Sequence, residues 1–258
     1  MERARETSPV LRIRRAEDIH HEAGGWFDAR WHFSFGGYED RGWMGVGPLR
    51  VFNDDRIVAA AEWPMHPHRD IESLTYVVDG VFEHADSLGN TGTLRSGGVQ
   101  VMSFSHRGAE HSERNGSATD ELRFLQFWIL PASPSGTSTV QQRQHSTAER
   151  TNHWLQVMGP AGDESARLSL SLRQDARVWV SRVLQGEALE RHTGAGRLGY
   201  FYVISGRAEV GGHELAAGDA AVLPGGSTVS PAALEHAELI LVDVPQTWTP
   251  VGVWAGMK

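Results

Sequence analysis

The sequence predicts an all-β protein made of two tandem barrels, and three observations carry that expectation. First, 29 Gly and 11 Pro punctuate the 258 residues, leaving only short apolar runs between them. Second, a stretch with no large apolar residue, Pro131-Ala132-Ser133-Pro134-Ser135-Gly136-Thr137-Ser138-Thr139, falls near the midpoint and reads as a connection between units. Third, the two halves echo one another. Thr75-Tyr76-Val77-Val78-Asp79-Gly80 is matched by Tyr202-Val203-Ile204-Ser205-Gly206, an apolar strand closed by a glycine turn. A second glycine turn and another apolar strand follow in each half, Ser96-Gly97-Gly98-Val99 and Ala217-Gly218-Asp219-Ala220. One strand–turn–strand unit used once per half points to a duplicated barrel rather than a solenoid, whose repeats are shorter and more numerous.

The elements follow in chain order. Leu74–Val78, Val99–Phe104 and Leu122–Leu130 read as strands of the first unit. Val178–Leu184, Tyr200–Ile204, Ala220–Leu223 and Leu239–Val244 read as strands of the second. Each is a short run rich in β-branched and aromatic residues, bounded by Gly, Asp or Pro. No amphipathic helix longer than about three turns is apparent. The organisation expected is therefore a first domain over 1–132 and a second over 133–258.

Composition narrows the function. The chain has 24 Lys+Arg against 32 Asp+Glu, a formal charge of −8. Without a basic stripe it is a poor candidate for direct nucleic-acid binding, because affinity for phosphates begins with positive charge. Zero cysteines exclude a disulfide scaffold, an iron–sulfur cluster and a cysteine nucleophile. The opening Met1-Glu2-Arg3-Ala4-Arg5-Glu6 is charged, and no run approaches the length of a membrane span. A cytoplasmic protein with no membrane partner is the expectation.

Histidine is the residue type to follow. In an extended segment residues i and i+2 share a face, so His66-Pro67-His68 presents two imidazoles together, and His111-Ser112-Glu113 presents an imidazole and a carboxylate. Imidazole with carboxylate suits first-row divalent metals, and three neutral imidazoles with one carboxylate would leave a net charge of +1. An isolated His-x-His is weak evidence in a chain with 13 His; a second pair beyond the intervening glycine turn strengthens it. His20-His21 is adjacent rather than alternating and reads as surface.

The fuller pattern is a resemblance. His66-x-His68, followed by Glu72, a glycine turn and a second His-bearing segment, resembles the cupin superfamily of jelly-roll barrels. The run Pro64-Met65-His66-Pro67-His68-Arg69-Asp70, then Thr75–Gly80, Phe82-Glu83-His84, Asp86-Ser87-Leu88-Gly89-Asn90, Val99-Gln100 and His111-Ser112-Glu113, resembles the bicupin family of pirins. His32-Phe33-Ser34-Phe35 and Gly47-Pro48-Leu49-Arg50-Val51-Phe52-Asn53-Asp54-Asp55 extend the likeness upstream. The match is dense over about residues 15–131 and loose beyond. It implies one divalent transition metal in the first cupin domain, held by His66, His68, His111 and Glu113. Iron is the metal implied, with nickel, zinc, manganese, cobalt and copper as alternatives. Glu72 stands where the general cupin motif places its carboxylate; its other role would be to orient a histidine. His84 is expected as a buried or rim histidine outside the ligand set.

The chain departs from the family at Ser103-Phe104-Ser105-His106-Arg107-Gly108-Ala109-Glu110, which is bulkier and more charged than the usual glycine-rich turn. His106, Arg107 and Glu110 are thus either substrate-selecting residues or surface loop residues, the second being favoured. In the second domain His192, His213 and His236 are isolated, so that cupin would lack metal ligands and act as scaffold and wall.

The resemblance also implies activity. Bacterial pirins resemble quercetin 2,3-dioxygenases, in which a flavonol binds through its deprotonated 3-hydroxyl and dioxygen opens the ring with loss of carbon monoxide. Glu113 would accept the hydroxyl proton and be the catalytic base. The substrates expected are a small flavonol-like aromatic and O2. The alternatives are a redox-responsive, metal-binding regulatory protein acting through protein partners without turnover, and a metal-stabilised cupin with another small substrate. An aromatic substrate needs a dry aromatic cavity, and Trp26, Phe33, Phe35, Trp43, Phe52, Trp63, Phe104, Phe124, Phe127 and Trp128 supply rings that sequence alone does not divide between core and pocket.

Overall fold

The computed structural model describes residues 11–133, 136–163 and 169–256. The apolar runs named from sequence all lie in strands, with ends shifted by up to three residues, and among the described residues the only helical elements are short 3-10 turns.

The first barrel opposes a seven-stranded and a four-stranded sheet. The large sheet runs in the order Thr139–Gln144, Gly98–Ser103, Glu72–Asp79, Leu122–Ile129, Leu49–Ile57, Phe27–Trp31, His20–Gly24. The small one runs Glu62–His68, Ala109–Asn115, Val81–Asp86, Thr91–Arg95. Its strands carry polar residues on both faces, one toward solvent and one toward the histidines, so no apolar alternation announces them in the sequence.

The second barrel repeats the plan. Its large sheet runs Arg12–Arg14, Ala220–Pro224, Arg197–Ser205, Ala237–Pro245, Arg177–Val183, Leu155–Pro160, Leu170–Leu172. Glu72–Asp79 and Arg197–Ser205 hold the same place in the two large sheets, and the glycine turns after them do the same work. At Gly80 (φ 89°) an added Cβ would meet the Glu121 carbonyl, and at Gly206 (φ 75°) the His236 carbonyl. Only glycine allows that approach together with that φ. Both barrels are thus built to one design.

Each barrel takes an edge strand from the other side of residue 132. Arg12–Arg14 pairs antiparallel with Ala220–Val222 of the second barrel. Thr139–Gln144, beyond the Pro/Ser/Gly stretch, pairs antiparallel with Gly98–Ser103 of the first. Thr139, read from sequence as connection, is therefore a strand residue; Pro134 and Ser135 lie outside the described residues.

The two large sheets pack on each other. Alternation sends Leu74, Tyr76, Leu125 and Phe127 of one sheet, and Val178, Val180, Tyr200 and Tyr202 of the other, into one shared apolar core. Phe33 and Phe52 belong to it, with Trp43 against it. Several polar groups buried at this joint are paired. Arg123 donates from Nε (2.9 Å) and Nη2 (2.5 Å) to Asp54, and Tyr202 donates its hydroxyl to the same carboxylate at 2.5 Å. Tyr76 and Arg150 both donate to Glu238. The opposite alternation points Ser73, Thr75, Phe124, Gln126 and Trp128 into the first barrel. The interior of the second is filled by Phe201, Val203, Leu215, Leu223, Leu239 and Leu241. Among the described residues no helix is long and apolar enough to cross a membrane.

Candidate metal centre and pocket

His66 and His68 lie on Glu62–His68, and His111 and Glu113 on the neighbouring Ala109–Asn115. The antiparallel register sets His111 directly across from His66. An irregularity between His111 and Glu113 brings Glu113 opposite Trp63. The three imidazoles converge: ring centroids are 4.6 Å (His66–His111), 4.8 Å (His66–His68) and 5.0 Å (His68–His111) apart. One donor nitrogen from each lies within 4.8 Å of the others. The Glu113 carboxylate lies beside this triad, 3.3 Å from His111 Nε2, but is not part of the group that closes within 4.8 Å.

The donor set suits a cation. His66 Nδ1 donates to the Pro64 carbonyl at 2.8 Å; that oxygen can only accept, so Nδ1 carries the proton and Nε2 keeps its lone pair. His68 Nε2 and both ring nitrogens of His111 are buried without a hydrogen-bond partner. Burial, then the neighbouring His68, His66 and His84, push His111 down to about 2. Burial and then His66 push His68 down to about 4. These rings are neutral at physiological pH, the form that binds metal. Burial pushes the Glu113 carboxyl up, against the attraction of His66 and the hydrogen bond that Gln126 Nε2 donates at 2.9 Å. Such a set, mixed nitrogen and oxygen with buried unsatisfied donors, fits a divalent transition metal.

Glu72 lies elsewhere. Asp70 takes a positive φ of 54°, the chain turns there, and the parity running through 66 and 68 ends. Glu72 then falls on the face of its strand that meets the second barrel. Its carboxylate accepts hydrogen bonds from Ser103 Oγ (2.9 Å) and from the backbone N–H groups of Arg173 (2.9 Å) and Gln174 (3.2 Å). Its role is to tie the barrels together. His84 is buried, its ring centroid 5.8 Å from that of His111, with Nε2 3.2 Å from Asp86 and Nδ1 accepting from Gln100 at 3.2 Å. His106 contacts Asp70 at 2.9 Å on the outside of the barrel, and neither it, Arg107 nor Glu110 lines the pocket. In the second barrel His192, His213 and His236 are exposed.

A cavity of about 240 Å³ opens onto the cluster. Its walls are Phe27, Trp31, Phe35, Trp63, Phe124 and Trp128, and its polar groups are Asn53, Asp55, Gln126, His66, His68 and Glu113. Of the aromatic residues singled out from sequence, four are pocket. Phe33, Phe52 and Phe127 are joint core, Phe104 packs on His68 and His111 with centroids at 5.1 Å, and Trp26 buttresses Trp63. Phe27, Trp31, Asp55, Asn53 and Gln126 were not separable from the core by sequence. Gln126 alone carries a local signal, an uncharged polar residue inside the apolar run Leu122–Leu130.

Two joined jelly-roll barrels with a histidine cluster inside the first define a bicupin. Residues 12–129 match the family described as Pirin, and 156–244 match the one described as Quercetinase C-terminal cupin domain. The chain is 38% identical to a pirin-like protein of Caulobacter vibrioides, over 85% of this chain and 93% of that protein. It is 33% identical to a quercetin 2,3-dioxygenase of Escherichia coli K12, over 92% of this chain and 99% of that protein. The crystal structure of the E. coli bacterial pirin YhhW in complex with nickel(II) superposes with a TM-score of 0.84 at 32% identity, covering 94% of this chain and all (100%) of that one. The chain belongs to the pirin family.

Proposed function

We propose that the protein is a metal-dependent dioxygenase of flavonol-like substrates, quercetin being the representative one. The observation that carries this reading is the aromatic cavity ending on His66, His68 and Glu113. Flat, ring-lined cavities with a few polar groups at one end suit planar aromatic ligands. The quercetin 2,3-dioxygenase names borne by relatives support the same reaction class.

His66, His68, His111 and Glu113 would hold the metal, iron being our first choice and nickel or zinc common occupants. When bound, it would act as a Lewis acid toward the substrate hydroxyl and supply redox chemistry toward dioxygen. The chain's own contribution is separate. Glu113, raised in basicity by burial, would take the proton of the flavonol 3-hydroxyl. Gln126 Nε2, at 2.9 Å from Glu113, holds that carboxylate in place and is itself held by Ser73 at 3.2 Å. Trp31, Trp63, Phe124 and Trp128 would clamp the rings and exclude water, so that the deprotonated substrate meets oxygen rather than solvent.

The test is an aerobic assay of quercetin loss and oxygen consumption with the iron-, manganese-, cobalt- and nickel-loaded protein. Turnover by at least one form is expected. Inactivity of all four overturns the flavonol oxygenase reading and leaves a metal-binding protein that works through partners or a metal-stabilised cupin with another small substrate.

A further inference from the structure

Two polar side chains in the pocket have no duty at the metal cluster. Asn53 and Asp55 are alternate residues on Leu49–Ile57, so both point into the first barrel while Asp54 between them faces the second. They are 4% and 5% exposed. Asn53 Oδ1 is buried without a hydrogen-bond partner, and the Asp55 carboxyl makes no hydrogen bond among the described residues. Both line the aromatic cavity. Their neighbour Gln126, paired with Asn53 across the sheet, is by contrast fully engaged, with Glu113, Ser73 and Thr75.

A buried polar group left unmatched costs about 1–3 kcal/mol, so evolution normally pairs it or removes it. Asn53 Oδ1 is such an atom, and with the Asp55 carboxyl beside it on one wall of the cavity it marks where a ligand's own polar groups arrive. The Asp55 carboxyl accepts hydrogen bonds in either protonation state, and the Asn53 amide both accepts and donates. Ligand groups that donate, and can also accept, match both side chains. Phenolic hydroxyls have that character.

We propose that Asn53 and Asp55 form a hydroxyl-reading subsite, which selects aromatic substrates carrying phenolic hydroxyls beyond the one presented to the metal cluster. The inference rests on the flavonol reading for its substrate class and names what within that class is preferred. A site built to hydrogen-bond a hydroxyl rejects the analogue lacking it, because its own polar groups stay unmatched.

The test is anaerobic titration of the nickel-loaded protein with quercetin and with 3-hydroxyflavone, followed by quenching of tryptophan fluorescence. Both ligands carry the 3-hydroxy-4-keto group; only quercetin has hydroxyls on the outer rings. Quercetin is expected to bind the wild-type protein about tenfold or more tighter, the factor that one or two unmatched hydrogen bonds produce. Asp55→Leu and Asn53→Leu should bring the ratio toward one, chiefly by weakening quercetin, whereas Asp55→Asn should keep most of it. Metal content should stay at the wild-type level in all three. The Asn53→Leu variant should also melt at or above the wild-type temperature, since an apolar side chain replaces one with an unsatisfied buried oxygen. A quercetin preference that survives both Leu substitutions overturns the subsite, as does failure of quercetin to bind the wild type. Because no oxygen is present, the subsite stands or falls apart from turnover: a lost preference in the Leu variants with no aerobic activity would retain the subsite and refute the oxygenase.

Discussion

His66 owes its free lone pair to the carbonyl of Pro64, two residues upstream, and His111 owes its neutrality to complete burial. These are the residue-level facts behind the first prediction. His66→Ala/His68→Ala should lose most bound metal by elemental analysis while keeping the far-ultraviolet spectrum of a β protein, because the apolar cores do not include these rings. Equal metal in the double variant and the wild type would refute the assignment. Glu113 should behave differently. Glu113→Gln keeps the shape and one oxygen donor but loses basicity, so part of the metal should remain while quercetin turnover per bound metal falls by about 10²–10⁴. An unchanged rate per metal would mean that Glu113 is not the base. The triad was readable in the sequence because period-two spacing holds inside each short strand. Parity across residues 66–72 was not readable, since the turn at Asp70 depends on its left-handed φ of 54°, which nothing in the local residue types announces.

At the scale of elements, a strand was legible when one of its faces enters an apolar core. Leu122–Ile129 alternates between the joint core and the barrel interior and is apolar on both sides, so it stood out. Ala109–Asn115, with His111, Ser112 and Glu113 in its middle, has no apolar face and was found only through its chemistry. The joint between the large sheets brings a pH consequence. His32 is wholly buried there, with Nδ1 2.6 Å from the Tyr200 hydroxyl, and burial lowers it from 6.5 to about 3 despite Asp54 nearby. Below pH 6.5 the unfolded chain binds a proton that the folded chain refuses, so stability is full above 6.5 and drains as pH falls toward 3. The slope from this one group is about 1.4 kcal/mol per pH unit. His68 and His111, lowered likewise, add to it in the metal-free protein. Urea unfolding of the metal-free protein between pH 7 and 5 should therefore be shallower in pH dependence for His32→Gln than for the wild type; equal slopes would show that His32 is protonated in the fold.

For the whole molecule, duplication was visible in the paired glycine turns, and the structure explains why those turns persist in both halves: each lets a strand end pass against the next strand's backbone. The exchange of edge strands was not visible. Arg12-Ile13-Arg14 is too short and too charged to read as a strand, and Thr139–Gln144 follows a stretch that resembles a linker. The boundary at 132/133 nevertheless yields a test. A 1–132 fragment lacks the strand that covers Gly98–Ser103, and a 133–258 fragment lacks the one beside Ala220–Pro224. Expressed alone, each bares a sheet edge and half of the joint core, and should aggregate. Expressed together they should copurify, each strand inserting in trans. Soluble, monomeric halves would show that the exchanged strands and the joint contribute little.

The exchange also sets an order of events during synthesis. Arg12 emerges from the ribosome early, yet its partner Val222 follows after most of the chain. The first barrel can acquire Thr139–Gln144 and close around its histidines while the nascent segment at Arg12–Arg14 is still waiting. The second barrel closes last, needing both an early strand at its edge, Arg12–Arg14, and a late one at its centre, Ala237–Pro245. Metal capture can thus precede completion of the second barrel, which waits on Ala237–Pro245.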